Sequence, residues 1–176
     1  MTTLILDRPS VADDHDGHMM TIERTHDMET VNSIMKDPAI WPHIHEDGAE
    51  NYMPIDHEAF NWLLVKDGDE VLGVFLVHAR GAACCEMHTC LLPKCWGKRA
   101  AYAAQLLAHW VFTNTSCQKL ITSVPAYNRV ALRFALAGGG REEGINRASF
   151  LRNGEMIDQI MIGMTKQEFL CQQQSH

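Results

Sequence analysis

No run in the 176 residues approaches the roughly 18 uncharged apolar positions that a membrane-spanning helix requires. The first positions carry Asp7, Arg8, Asp13, Asp14 and Asp16 where a secretory leader would need an apolar stretch, so neither insertion nor export is expected. Positive charge is scarce: 15 Lys and Arg against 22 Asp and Glu give a net charge of −7. Such a surface offers no general attraction to nucleic acid or to a membrane, and an anionic ligand must be held by a local basic site. The six cysteines include the neighbours Cys84 and Cys85 but no C-x-x-C, and most lie in apolar runs. They read as reduced, core-filling residues of a cytoplasmic protein. Internal repeats and low-complexity linkers are absent as well, which excludes solenoids and strings of small modules.

What is present is the composition of an ordinary globular domain, with 46% hydrophobic and 21% charged residues. Residues 1–18 have no apolar period and read as a polar, mobile tail. A single domain is expected over 19–170, and 171–176 form a second short tail. Met20 to Arg24 reads as a first strand. Thr25-His26-Asp27 caps a helix with apolar positions at Met28, Val31, Ile34 and Met35, which Asp37-Pro38 stops. Ala39 to Pro54 is a loop or broken helix. Asn61 to Val65 and Val71 to His78 form a hairpin about Lys66-Asp67-Gly68-Asp69, and Ala82 to Leu92 is a further strand ended by Pro93. A long helix is expected from Gly97 to Phe112, a strand from Lys119 to Val124, and a helix from Arg129 to Ala137 that stops at Gly138-Gly139-Gly140. Gly144 to Leu151 and Met156 to Met164 close the chain as a hairpin across Arg152-Asn153-Gly154. Helices set into a largely antiparallel meander mean an α+β fold, with one parallel pair where the long helix joins its flanking strands.

The most informative segment is Leu91-Leu92-Pro93-Lys94-Cys95-Trp96-Gly97-Lys98-Arg99-Ala100-Ala101. A strand ends, the chain turns and a helix begins, so amides without intrahelical partners meet the positive end of the helix dipole, an arrangement suited to phosphate. Lys94, Lys98 and Arg99 place three cations beside it in an otherwise acidic chain.

This turn, the order of elements, and the downstream Val124-Pro125-Ala126-Tyr127-Asn128-Arg129-Val130-Ala131 and Gly139-Gly140-Arg141-Glu142-Glu143-Gly144 resemble the GNAT superfamily of N-acetyltransferases over roughly Met19 to Phe169. The likeness is nearest to the branch that includes ribosomal-protein N-terminal acetyltransferases, with Asn128, Ala131, Gly139, Glu143, Gly144 and Asp158 at that branch's marked positions. It implies a mixed, mostly antiparallel sheet whose fourth and fifth strands splay apart, flanked by helices, with acetyl-CoA in the opening. The pyrophosphate would lie on Trp96, Gly97, Lys98, Arg99, Ala100 and Ala101, the pantetheine along the edge that includes Leu91 and Leu92, and Asn128 against the cofactor's arm. Acetyl transfer to an amine-bearing protein or small molecule needs a base, and Glu86 stands where the family often carries one. His88, two residues on, shares its face of the strand.

Four departures accompany the resemblance. Trp96 replaces an Arg or Gln, Arg99 replaces a glycine whose lack of a side chain lets phosphate approach, and Ala135 and Gly140 stand where a Tyr acid and a Phe are common. Arg99 could instead clamp phosphate with its own guanidinium. With Glu86-Met87-His88 on the fourth strand, Leu92-Pro93 before the turn, Val124-Pro125 ahead of Asn128, and Gly163-Met164-Thr165-Lys166-Gln167-Glu168-Phe169 near the end, the chain is also similar to acetyltransferase-like proteins of tailed bacteriophages, which include head assembly proteins; that likeness implies an inactive relative contacting virion proteins in the host cytoplasm, with homodimers possible. Trp41, His43 and Ile44 fall where the family's acceptor pocket lies and are expected to touch substrate or partner. His43-Ile44-His45 with Asp47, and His15-Asp16-Gly17-His18, match no defined zinc spacing, so no metal is assigned. Cys84, Cys85 and Cys90 lie near His88 but lack an orienting third group for nucleophilic catalysis.

Overall fold

The computed structural model describes residues 20–174, so the expected tail at 1–18 lies outside the described residues. The chain runs β1 (Met20–Arg24), α1 (Met28–Met35), a short helical turn α2 (Trp41–Ile44), β2 (Phe60–Asp67), β3 (Glu70–Ala79) and β4 (Cys84–Leu91). After a 3₁₀ turn at Pro93–Cys95 come α3 (Lys98–Asn114), β5 (Lys119–Pro125), α4 (Arg129–Ala137), β6 (Arg141–Arg152), β7 (Glu155–Thr165) and α5 (Lys166–Gln173). The strands form one seven-stranded sheet in the order β1-β2-β3-β4-β5-β7-β6, antiparallel except between β4 and β5. This is the expected α+β architecture, including its parallel pair. No helix among the described residues is long and apolar enough to cross a membrane.

Strand period two sorts the core into two layers. Leu63, Val65, Phe75, Val77, Cys85, Met87 and Leu91 pack on α3 together with Ala103, Leu107 and Val111. Their neighbours Trp62, Leu64, Val74 and Cys90 face the other way, onto Val31 and Ile34 of α1. α4 lies on the α3 side, closing Leu132 and Ala135 on Val124 and Ile162.

Local chemistry fixes the element ends. Asp27 caps α1 by accepting from the Thr30 N–H at 3.0 Å, as the sequence predicts. Gly68 and Asp69 make the two-residue turn between β2 and β3. α5 was not foreseen, because its one buried residue, Phe169, gives no apolar period; its signal is the capping box Thr165-Lys166-Gln167-Glu168, in which Thr165 and Glu168 bond reciprocally.

Gly140, where the resemblance leads one to look for Phe, has a steric explanation. A Cβ there would lie 2.5 Å from Cγ2 of Ile162 and 2.9 Å from the Ala135 carbonyl, so β6 leaves α4 too closely to admit any side chain. Gly140→Ala should therefore destabilise the protein by about 1–3 kcal/mol through overpacking. Urea denaturation measures this, and an unchanged midpoint would show that the contact is not tight.

Candidate active site

β4 and β5 pair only through Cys84–Glu86 and Lys119–Ile121, although β4 runs on to Leu91 and β5 to Pro125. Beyond that point the strands part around a cavity of about 1270 Å³. The Leu92 N–H donates to the Leu72 carbonyl at 2.9 Å on the β3 side. Because a trans peptide points N–H and C=O in opposite directions, the Leu91 carbonyl turns into the opening. There the Trp96 indole N–H covers it at 2.8 Å.

Of the residues expected to hold the cofactor, Leu91, Trp96, Gly97, Ala100, Ala101 and Asn128 line this cavity. Gly97 caps α3 with φ of 81°, a left-handed angle that strains any other residue, and a Cβ on it would meet nothing within 4 Å. The first intrahelical bond runs from the Ala101 N–H to the Gly97 carbonyl, so the Lys98, Arg99 and Ala100 amides remain available at the positive end of a 17-residue helix. The site thus fits a diphosphate through backbone groups.

The basic side chains do something else. Arg99 turns back to pair with Asp67 and donates to the Lys94 carbonyl at 3.2 Å, so the expected guanidinium clamp on phosphate is corrected to a tie onto the β2–β3 turn. Lys94 pairs with Glu70 at 2.9 Å, and Leu92 packs on the α1 side. Lys98 is the exposed cation on the first turn of α3. Asn128 accepts from the Ala131 N–H at 3.0 Å to cap α4, which leaves its amide NH₂ as the group it can offer a ligand.

Across the sheet, on the α1 side, β4 carries Glu86 and His88. Antiparallel register sets His78 of β3 opposite Glu86 and diagonal to His88. The Glu86 side chain is only 12% exposed and lies 3.3 Å from Nε of Arg80 and 3.9 Å from Nε2 of His78. Ser123 of β5 donates its hydroxyl to Glu86 at 3.4 Å. Nε2 of His78 and Nε2 of His88 are 3.1 Å apart, the rings are within 11° of parallel, and their centres are 5.3 Å apart. That centre-to-centre distance is close to the most the ring radii and the gap allow, so the two nitrogens face each other along one line in nearly one plane. This is the geometry of a shared N–H···N proton; lone pairs converging on a metal ion would point off that line. His78 was not foreseen as part of the site, and only the β3–β4 register brings it here. Arg80 and Ser123 were likewise not foreseen.

His88 stands in the cavity, walled by protein yet open to water on one side. Burial, as the dominant cause, holds its imidazole below the ordinary histidine value, with the neighbouring His78 and Arg80 acting the same way against the carboxylate of Glu86. It is therefore neutral at neutral pH. The thiols contrast with it: burial pushes Cys90 and Cys85 up to about 12, so neither supplies a thiolate.

Trp41, His43 and Ile44 line the same cavity from the α2 turn. Trp41 is itself braced, with the His45 ring stacked at 4.9 Å and the Lys36 ammonium 3.3 Å from its ring centre. Asp47 accepts from the Asn153 and Gly154 amides at 3.0 and 2.7 Å, tying this loop to the tip of the β6–β7 hairpin and placing it in no metal cluster with His43. Ala135 lines the cavity where a Tyr acid is common, while the Tyr127 hydroxyl accepts from Arg152 at 2.6 Å, away from Glu86. Tyr52, which also lines the cavity, was not foreseen.

A family model described as an acetyltransferase (GNAT) domain matches residues 18–141, well over half of the chain. The chain belongs to the GNAT acetyltransferases. Among solved structures, a spermidine N-acetyltransferase from Vibrio cholerae in complex with CoA and spermine is similar, with a TM-score of 0.73 and 18% identity over 86% of this chain and 98% of that one. An aminoglycoside acetyltransferase in complex with coenzyme A and kanamycin gives a TM-score of 0.71 and 15% identity over 88% of this chain and 99% of that one. Comparison with curated protein sequences finds no significant match. As in other GNAT acetyltransferases, acetyl-CoA is the co-substrate. A virion role has only the sequence resemblance behind it and is not carried further.

With His88 as the base, the pH–rate profile should show an acid limb below the ordinary histidine value. His78→Ala removes one of the influences that lower the His88 value and should move that limb to higher pH. Glu86→Gln removes the one that raises it and should move the limb to lower pH. Both are read from kcat/KM against pH, and limbs that move together would sink the assignment of His88.

Proposed function

We propose that the chain is an N-acetyltransferase moving acetyl from acetyl-CoA to a primary amine, with Glu86 and His88 as the catalytic pair. The observation that carries this reading is the meeting of Glu86, His88 and His78 at the point where β4 and β5 part, facing the acceptor side of the cavity. Bound acetyl-CoA supplies the thioester carbonyl that the amine attacks. An ammonium has no lone pair, so the protein must first take a proton from it.

The hydrogen-bond pattern supports a direction for that proton. Nδ1 of His78 is 3.4 Å from the Ala79 carbonyl, which assigns its proton there and leaves Nε2 as the acceptor from His88. His88 then carries its proton on Nε2 and offers Nδ1 as the basic nitrogen. A proton taken at Nδ1 is balanced by one passed from Nε2 to His78, where the Glu86 carboxylate lies 3.9 Å away and favours the cation. The amide C–N bond forms and the thioester C–S bond breaks; the second proton lost by the nitrogen goes to water, and the leaving thiolate, a weak base, takes a proton from water in turn, since Ala135 supplies none.

The contacts along the rest of the cofactor arm are those set out by the residues present: the α3 amides for the diphosphate, and the β4 edge for the pantetheine. Arg99 is turned to Asp67, Trp96 to the Leu91 carbonyl, and a Cβ on Gly97 would meet nothing within 4 Å, which supports cofactor entry despite the departures from the family pattern.

Isothermal titration with acetyl-CoA should give saturable binding, and an amine-dependent release of CoA thiol should accompany turnover. Glu86→Gln and His88→Ala should each lower kcat/KM by about 10²–10⁴-fold while leaving acetyl-CoA affinity near that of the unaltered protein. Absence of binding at millimolar acetyl-CoA overturns the transferase reading.

A further inference from the structure

We infer that the acceptor is a singly charged primary amine carried on an apolar or aromatic body, and not a polyamine or aminoglycoside; this rests on the transferase reading above. A polycation entering the cavity would leave each of its further ammonium groups in need of a carboxylate, because burying an unpaired charge is costly. Of Glu46, Asp47, Glu50, Asp56 and Glu86 at this end, all but Glu46 already have partners. Glu86 holds Arg80 at 3.3 Å, and Asp47 accepts two backbone amides of the β6–β7 turn. Glu50 accepts from the Gly48 N–H at 3.1 Å, and Asp56 pairs with His26 at 2.8 Å. Glu46 is left, exposed at the rim. The wall also carries cations of its own: Arg80 lines the cavity, and the Lys36 ammonium sits over Trp41.

Apolar surface is what the site offers instead. Met35, Ile40, Ile44, Trp62 and Phe150 line it. The chain then leaves the cavity through an apolar lip, with Tyr52 44%, Met53 59% and Ile55 54% exposed. The Trp62 indole N–H holds this lip down by donating to the Ile55 carbonyl at 3.0 Å. A body that extends from the reacting nitrogen over Ile44 and Tyr52 would bury this surface, which scattered single exposed residues elsewhere do not provide. The same chemistry is offered by an arylalkylamine and by the amino terminus of a peptide that begins with bulky apolar residues.

The test compares kcat/KM for phenethylamine, a peptide with the amino-terminal sequence Phe-Leu, spermidine and kanamycin, using the full chain and saturating acetyl-CoA, with calorimetric titration of acetyl-CoA run alongside. Phenethylamine, the peptide, or both should be preferred over spermidine and kanamycin by at least about 10-fold, and which of the two leads identifies the source. Tyr52→Glu, which puts an unengaged carboxylate at the lip, should narrow that preference toward spermidine. Spermidine or kanamycin at or above parity overturns the inference. So does acetyl-CoA binding with no turnover of either apolar amine. Failure of acetyl-CoA to bind is a separate result, which removes the transferase reading itself.

Discussion

The early parting of β4 and β5 governs everything else in this molecule. Two neighbouring parallel strands that stop bonding after Cys84–Glu86 leave backbone donors and acceptors of β4 facing a gap, and buried polar groups of the main chain need partners. One of them, the Leu91 carbonyl, is met by the Trp96 indole. The rest of that edge is where a linear ligand rich in amides can bond as an added strand would. The gap also sets the two chemical ends of the cavity, because the α3 amides open on one side of the sheet and Glu86 and His88 face the other.

Charge is arranged around that opening with economy. An acidic chain offers backbone amides at the start of α3, while its basic side chains near the turn are tied to neighbouring acids: Arg99 to Asp67 and Lys94 to Glu70. The departure from glycine at position 99 is thus accommodated by turning the guanidinium away, so that the backbone keeps the approach the side chain would have obstructed. On the catalytic face the balance is reversed. Glu86, largely buried, is stabilised by Arg80 and Ser123, and its charge is available to a proton carried by the paired imidazoles. Two histidines facing each other at 3.1 Å cannot both be cations at low cost, so burial and mutual repulsion keep His88 neutral.

The loop from Trp41 to Ile55 completes the site as a wall with fixed attachments. His45 bonds the Trp41 carbonyl at 2.6 Å, Lys36 bonds the Glu50 carbonyl at 2.9 Å, and Asp47 reaches the far hairpin. Asp158 of β7 accepts from the amide of Ala148 on β6, a residue held at φ of 49°, and so pins the irregular stretch where β6 and β7 shift register. A loop whose only regular structure is the short α2 turn is held in place by side chains that otherwise read as candidate ligands.

Local signals carried most of the fold. Asp27 and Asn128 are side-chain caps, Gly68-Asp69 and Asn153-Gly154 are turns, and apolar period placed the strands and the helices α1, α3 and α4, because each of these depends on residues within one turn or one hairpin of each other. The last helix escaped because a single buried Phe gives no period. The strand–turn–helix junction was legible as an anion site for the same local reason. What the sequence could not show was direction: that Arg99 points at Asp67, 32 positions away, that His78 meets His88 across a strand pair, that Asp47 grips a turn more than 100 residues on, and that the acceptor end is left with engaged carboxylates and bare apolar surface. Those facts depend on register and on which face of the sheet each strand presents, and these are settled only when distant segments pack around one core.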